Sequence, residues 1–184
     1  MFETQRFIDD CQRALAETDA QTAVKEVVAR AVAAPGEILK GMGEPTLAGV
    51  HTIHKADDLT ILNLVWGPGM DLFPHDHRMW AVIGIYGGQE DNTFWSRSDE
   101  GLKRQRMKTL VEGDVAPLGE NVVHSVRNPL DRLTAALHVY GGNFFETPRS
   151  EWDPDTLEEH PYSVEHTMAA FEASNARLRD SSGS

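Results

Sequence analysis

Between residues 47 and 145 the chain breaks into nine short runs rich in β-branched and aromatic residues, at 48–54, 59–65, 70–74, 79–86, 93–98, 107–111, 114–117, 122–127 and 134–140. Turn formers separate many of them: Asp57-Asp58, Gly67-Pro68-Gly69, Gly87-Gly88 and Asn128-Pro129. Strands this short and evenly spaced, with no helical period between them, do not build a parallel α/β sheet. They predict an antiparallel sandwich or barrel, a mainly β fold.

Metal-type ligands stand beside one of these runs and inside another. His75 and His77 flank Asp76, and side chains two apart on a strand share a face; His124 follows 47 residues later on another run. A neighbouring strand can bring His124 to the same point. Three neutral imidazoles leave a divalent first-row ion its full double charge and open coordination positions, suited to an anionic ligand, water or O2. Asp76 is expected to point away from the ion and to orient a neighbour.

The flanks read as helical. Phe7, Cys11, Ala14 and Leu15 fall at helical spacing. Asp19 can cap a second helix whose Ala20, Ala23, Val24, Val27, Val28, Ala31 and Val32 form one apolar stripe, and Pro35-Gly36 ends it before a short helix to Gly41. The stripe is expected to pack on the outside of the barrel, with a homo-oligomer contact as the second choice. Residues 163–178 predict a C-terminal helix with Val164, Met168, Phe171 and Leu178 on one side, and 180–184 a frayed end. The expected organisation is thus a helical segment at 1–46, the barrel at 47–150 and a C-terminal extension at 151–184.

Composition excludes several classes. A net charge of −12 argues against nucleic-acid or anionic-membrane partners. The basic cluster Lys103-Arg104-Gln105-Arg106 with Lys108 reads as a solvated strand face or loop. Cys11, the one cysteine, permits neither an intrachain disulfide nor a thiolate metal cluster. There is no 18-residue apolar run and no basic-then-apolar leader, so a cytoplasmic location is expected.

The glycines around the histidines sharpen the reading. Gly69, His75, His77 and Gly87, then Gly113, Pro117, Gly119, His124 and Asn128, stand in an order that resembles the two motifs of the cupin superfamily. Cupins are double-sheet jelly rolls, the double-stranded β-helix. Many carry a glutamate four residues after the histidine pair as a fourth ligand; Ala81 stands there, so the resemblance implies a three-histidine site. Glu90 and Glu120 are the nearby carboxylates that would have to replace it, and both sit beside turn residues.

A narrower likeness comes from Trp66-Gly67-Pro68-Gly69 leading into His75-Asp76-His77, with His124 14 residues before His138 and His138-Val139-Tyr140 beyond. Over residues 59–145 this looks like the cysteine dioxygenase family of thiol dioxygenases. The resemblance implies an oxidoreductase with Fe(II) as cofactor on His75, His77 and His124, and a small thiol and O2 as the molecules it takes. Tyr140 would be directed at the open side of the metal and His138 would orient it. The product would be a sulfinic acid.

Three positions depart from that pattern. Ala136 stands where the family has a serine two places before the histidine, and no second cysteine exists to crosslink Tyr140. The arginine that grips a cysteine carboxylate would fall near Gly49, yet no arginine lies between Arg30 and Arg78. Arg78 or Arg97 is then expected to serve a carboxylate from another direction, with Trp80 lining the pocket mouth, and a different acidic thiol such as a mercapto acid fits about as well as cysteine. Two other readings stay open here: a different three-histidine cupin enzyme, an isomerase or a carbon-bond-cleaving dioxygenase, and a non-catalytic cupin that binds a small molecule.

Overall fold

Three helices lead into the sheets: α1 (Thr4–Leu15), α2 (Ala20–Val32) and α3 (Pro35–Met42) in the computed structural model, which describes residues 1–182. The Asp19 carboxylate accepts the Thr22 N–H at 3.1 Å and caps α2 as its sequence predicts. Eleven strands follow: β1 (Gly49–Lys55), β2 (Thr60–Trp66), β3 (Asp71–Asp76), β4 (Ala81–Gly87), β5 (Gln89–Ser98), β6 (Gly101–Val111), β7 (Val115–Leu118), β8 (Val123–Arg127), β9 (Thr134–Tyr140), β10 (Ser150–Trp152) and β11 (Glu159–Pro161). Helix α4 (Val164–Ser182) closes the chain.

The strands form two antiparallel sheets, one in the order β1-β2-β9-β4-β7 and the other β11-β10-β3-β8-β5-β6. This is a mainly β, double-sheet jelly-roll architecture of the double-stranded β-helix kind, with helices before it and one after. The basic cluster lies on β6, on a strand face open to solvent. Among the described residues no helix is long and apolar enough to cross a membrane.

Strands β2 and β9 are buried along their whole length, and period-two alternation explains why. Ile61 and Val65 on β2, with Ala135, Leu137 and Val139 on β9, face outward into a cluster with Phe7, Cys11, Val24, Val28 and Val32 of the helices. Leu62, Leu64 and Trp66, with Ala136 and Tyr140, face inward toward the second sheet. The apolar stripe of α2 therefore packs on the outer face of the five-stranded sheet. Gly84 on β4 sets how close it comes: a Cβ there would lie 2.3 Å from Val28 Cγ1 and 3.0 Å from Val32 Cγ1. Gln21 anchors the same helix by donating to the carbonyls of Ala81 and Leu118 at 3.1 and 2.8 Å.

At the far end, α4 lies over the barrel mouth. Phe171 stacks on Trp66 with ring centroids 5.4 Å apart. The Asn175 side chain brackets the backbone of Ala48, accepting its N–H at 2.8 Å and donating to its carbonyl at 3.0 Å. The helix is described to Ser182; Gly183 and Ser184, part of the end expected to fray, lie outside the described residues. Strands β10 and β11 have three residues each, too few for a periodic pattern to reveal, and they extend the six-stranded sheet beyond residue 150.

Candidate metal centre

His75 lies on β3 directly opposite His124 on β8, paired in register across the antiparallel ladder. Strand β3 ends at Asp76, and His77 is the first residue beyond it. Arg78 then turns back with φ +56, in the left-handed region that a non-glycine residue rarely occupies. The three imidazoles meet: one nitrogen from each lies within 4.8 Å of the other two, and all three residues are buried. His124 Nε2 stands 3.4 Å from His77 Nε2.

This donor set fits a metal ion. Nitrogens about 2.1 Å from a common ion in tetrahedral or octahedral geometry stand roughly 3.0–3.4 Å apart. The outward nitrogens fix the tautomers. His75 Nδ1 donates to the Phe73 carbonyl at 3.0 Å, and His124 Nδ1 donates to Asn92 Oδ1 at 2.7 Å, which leaves each Nε2 as a lone pair turned inward. Burial pushes the His75 pKa down to about 4, and burial together with the neighbouring histidines pushes His77 and His124 well below their usual range. The three rings are therefore neutral and able to ligate at pH 7.

A second layer of side chains holds His124. Glu90, fully buried, accepts from Trp66 Nε1 and from Asn92 Nδ2, each at 2.8 Å. A carboxylate can only accept, so it obliges Asn92 to present its NH2 to Glu90 and its oxygen to His124. Glu90 is thus no metal ligand; it sets the tautomer of one through Asn92. Glu90→Gln would let Asn92 flip and turn an N–H toward His124 Nδ1. The expected result is a 10- to 100-fold weaker metal affinity, read by competition with a chelator, in a protein that still folds.

His138 and Tyr140 both point inward from β9. The Tyr140 hydroxyl lies 3.1 Å from His138 Nδ1, and His138 Nε2 faces Glu90 Oε2 at 3.7 Å. With an Nε2–H turned toward the carboxylate, Nδ1 accepts the Tyr140 hydroxyl proton. The Tyr140 ring sits 5.0 Å from that of His77 and 4.4 Å from that of Phe144. Burial pushes its phenol pKa up, so it stays protonated. Ala136 offers His138 no hydroxyl, and the buried His138 Nε2 has no hydrogen-bond partner among the described residues, with the Glu90 carboxylate as the nearest charge behind it.

The cavity in front of these groups has a volume of about 430 Å³ and is lined by all five of them together with Arg149. Arg78, Arg97 and Trp80, expected from the sequence to serve the substrate, do not line it. Asp76 alternates with the two histidines and faces the other way, where its carboxylate takes both arginines in ion pairs, Arg78 Nε at 2.5 Å and Arg97 Nη2 as well. Arg97 also lies over the Trp152 ring at 4.9 Å. Trp80 packs with the outer cluster and fills the space beside Gly141.

Arg149 is the cation that faces the cavity. It stands immediately before β10, and the Ser150 N–H donates to Asp76 Oδ1 at 2.8 Å, so the residue between the two histidines also places this arginine. Its guanidinium lies between the rings of Phe144 and Tyr162, at 3.8 and 4.0 Å from their centroids, and donates to the Phe144 carbonyl. Its buried Nε–H has no acceptor, and among the described residues no carboxylate pairs with it. An uncompensated guanidinium with a free donor is a ready partner for a carboxylate.

Acid acts on this site in one direction. The folded His75 pKa of about 4 lies below the ordinary imidazole value of 6.5, so the native state binds fewer protons between those values. Its contribution is complete above the unfolded value and lost as pH falls through the folded one, a difference of about 3 kcal/mol for this group alone. Urea midpoints of metal-free protein should drop as pH is lowered from 6.5 toward 4; a flat profile would contradict the buried neutral site.

No protein-family model matches the sequence. The chain is similar to an RmlC-like cupin family protein with a double-stranded β-helix fold from Methanocaldococcus jannaschii, at 16 % identity over 56 % of this chain and 87 % of that one, with a TM-score of 0.47. It is also similar to an uncharacterised conserved protein with a double-stranded β-helix domain from Klebsiella pneumoniae, at 13 % identity over 65 % of this chain and 90 % of that one, TM-score 0.43. A variant of oxalate decarboxylase from Bacillus subtilis is similar at 17 % identity over 54 % of this chain and 27 % of that one, TM-score 0.42.

Proposed function

We propose that the protein is an iron(II)-dependent thiol dioxygenase of the cysteine dioxygenase type, acting on a thiol that also carries a carboxylate. The observation that supports it most is the company around one cavity: three neutral imidazoles, a protonated phenol and a guanidinium without a counter-ion among the described residues. The reaction is RSH + O2 → RSO2H. Both oxygen atoms go to sulfur, which is oxidised by four electrons as O2 is reduced by four, and no external reductant is needed.

His75, His77 and His124 would hold the metal. Iron(II), when bound, would supply the charge that favours thiolate over thiol and the open-shell character that lets O2 react. Arg149 takes the carboxylate, and its stacking between Phe144 and Tyr162 holds the guanidinium plane before the substrate arrives. Tyr140, fixed by His138, presents its hydroxyl oxygen in a cavity whose remaining walls are largely apolar, where a hydrogen bond counts for more than in water. Those walls also keep water from the reacting sulfur.

Oxygen uptake by iron-loaded protein tests the reading with cysteine, cysteamine, mercaptopropanoate and mercaptosuccinate. The mercapto acids are expected to consume one O2 per sulfinic acid formed, and cysteamine, which lacks the carboxylate, to be slow. If no thiol in the panel drives uptake, the reading is wrong. Tyr140→Phe should slow turnover about 100-fold while leaving iron content unchanged; loss of iron instead would make Tyr140 part of the metal site.

A further inference from the structure

We propose that the substrate carries an apolar side group of four or more carbons, seated against the apolar wall that Trp66 and Phe171 of α4 share while its thiol and carboxylate face the histidines and Arg149. The reacting end rests on the thiol reading above; the apolar group rests on separate observations. The cavity of about 430 Å³ falls within the range of about 300–1,000 Å³ that seats drug-sized ligands, far more than a three-carbon mercapto acid fills.

Part of the lining is connected apolar surface. Leu64, Trp66, Leu72, Val126 and Phe171 line the cavity, are buried and form one cluster across the two sheets and α4. Thr167 is the hydroxyl that α4 contributes to the lining, and it is already bonded to the Tyr162 hydroxyl at 2.6 Å. The Trp66 N–H is likewise taken by Glu90, so these residues offer an entering molecule apolar contact.

The rim continues the same chemistry. Seven large hydrophobic residues are exposed among the described residues, and three of them, Phe145, Val164 and Met168, line this one cavity at 43, 56 and 50 % exposure. Apolar surface gathered at a cavity mouth gains free energy when an apolar ligand covers it. Arg149 and Tyr140 both pack against the Phe144 ring, at 3.8 and 4.4 Å from its centroid. A molecule held by both the histidine end and Arg149 must therefore be short between sulfur and carboxylate, so the apolar group has to branch from that short backbone. The class is a β-mercapto acid with an alkyl or aryl substituent.

The test compares 3-mercaptopropanoate with its 2-methyl, 2-butyl and 2-benzyl derivatives. Binding is measured by calorimetry on the full chain loaded with zinc, which does not react with O2, and turnover by oxygen uptake on the iron-loaded chain. Affinity should rise about fourfold for each methylene buried, so 2-butyl should bind at least tenfold tighter than 3-mercaptopropanoate. Met168→Glu, at a half-exposed position that should not disturb folding, is expected to shrink the difference between 2-benzyl and the unsubstituted acid to below threefold. Equal or weaker binding of the substituted acids overturns the proposal, and if 3-mercaptopropanoate still turns over, the thiol reading survives alone. If 2-benzylsuccinate, which has no sulfur, outbinds succinate tenfold while no thiol stimulates O2 uptake, the apolar seat stands and the thiol chemistry falls.

Discussion

His124→Ala should reduce bound iron to less than a tenth of an equivalent and lower thiol-dependent O2 uptake at least about 1,000-fold. His124 is the member of the histidine trio from the distant strand, directly paired with His75 and with its Nε2 3.4 Å from that of His77. Without it two neighbouring imidazoles remain, and both are held by the same short segment of chain. Two neutral nitrogens seldom retain a divalent first-row ion against water and buffer. The variant also leaves Asn92 Oδ1 without its donor, a buried loss of about 1–3 kcal/mol that lowers the unfolding midpoint without abolishing the fold. His138→Gln is the control. His138 faces the same cavity but bonds Tyr140 and lies outside the histidine trio, so iron should stay bound while turnover falls. Equal iron loss in both variants would mean that the ligand set has been misassigned.

Arg149→Leu should lower kcat/KM for mercapto acids about 100-fold, most of it through KM. A charge-assisted hydrogen bond to a carboxylate contributes roughly 1.5–3 kcal/mol, and a misplaced substrate loses orientation as well. Cysteamine, with no carboxylate, should be turned over about equally by variant and parent, which separates a binding defect from a damaged site. Arg149→Lys should not restore the activity. A lysine has no planar fork and would not stack between Phe144 and Tyr162 in the same way. Arg78→Leu, in contrast, should leave KM for the acid unchanged, because that side chain is paired with Asp76 behind the cavity.

The contrast between Arg149 and Arg78 shows where sequence reasoning succeeds on this chain and where it stops. His75 and His77 stand two apart, and His124 falls at a fixed distance inside a glycine-bounded motif. Strand period and ladder register then do the rest. The nine strands were legible for the same reason, since alternation and turn residues are local signals. Parity also put Asp76 on the opposite face from its flanking histidines, where it lies. The face presented by Arg78 was not readable, because a left-handed residue just after β3 breaks the alternation.

Arg149 was hidden for a different reason. It precedes a strand of three residues, and its position depends on an Asp76 contact across 74 residues of chain. No local pattern encodes that. A guanidinium followed thirteen residues later by a tyrosine, with two phenylalanines just before it, is a weak signal that becomes specific once the strands are folded. Glu90 was visible only as a carboxylate next to a turn. Its complete burial follows from the Gly87-Gly88 crossover, where Gly88 at φ +81 passes the chain from one sheet to the other and turns Glu90 inward toward Trp66.

The most direct test of the whole account is X-ray absorption at the iron edge of protein loaded with one equivalent of iron(II) under anaerobic conditions, read alongside the His124→Ala variant. The expected spectrum of the parent shows three imidazole nitrogens at about 2.1 Å, with oxygen ligands completing the shell and a sulfur scatterer entering when mercaptopropanoate is added. The variant should retain no such signal. A parent spectrum with fewer than three imidazoles, or one unchanged by His124→Ala, would contradict the account.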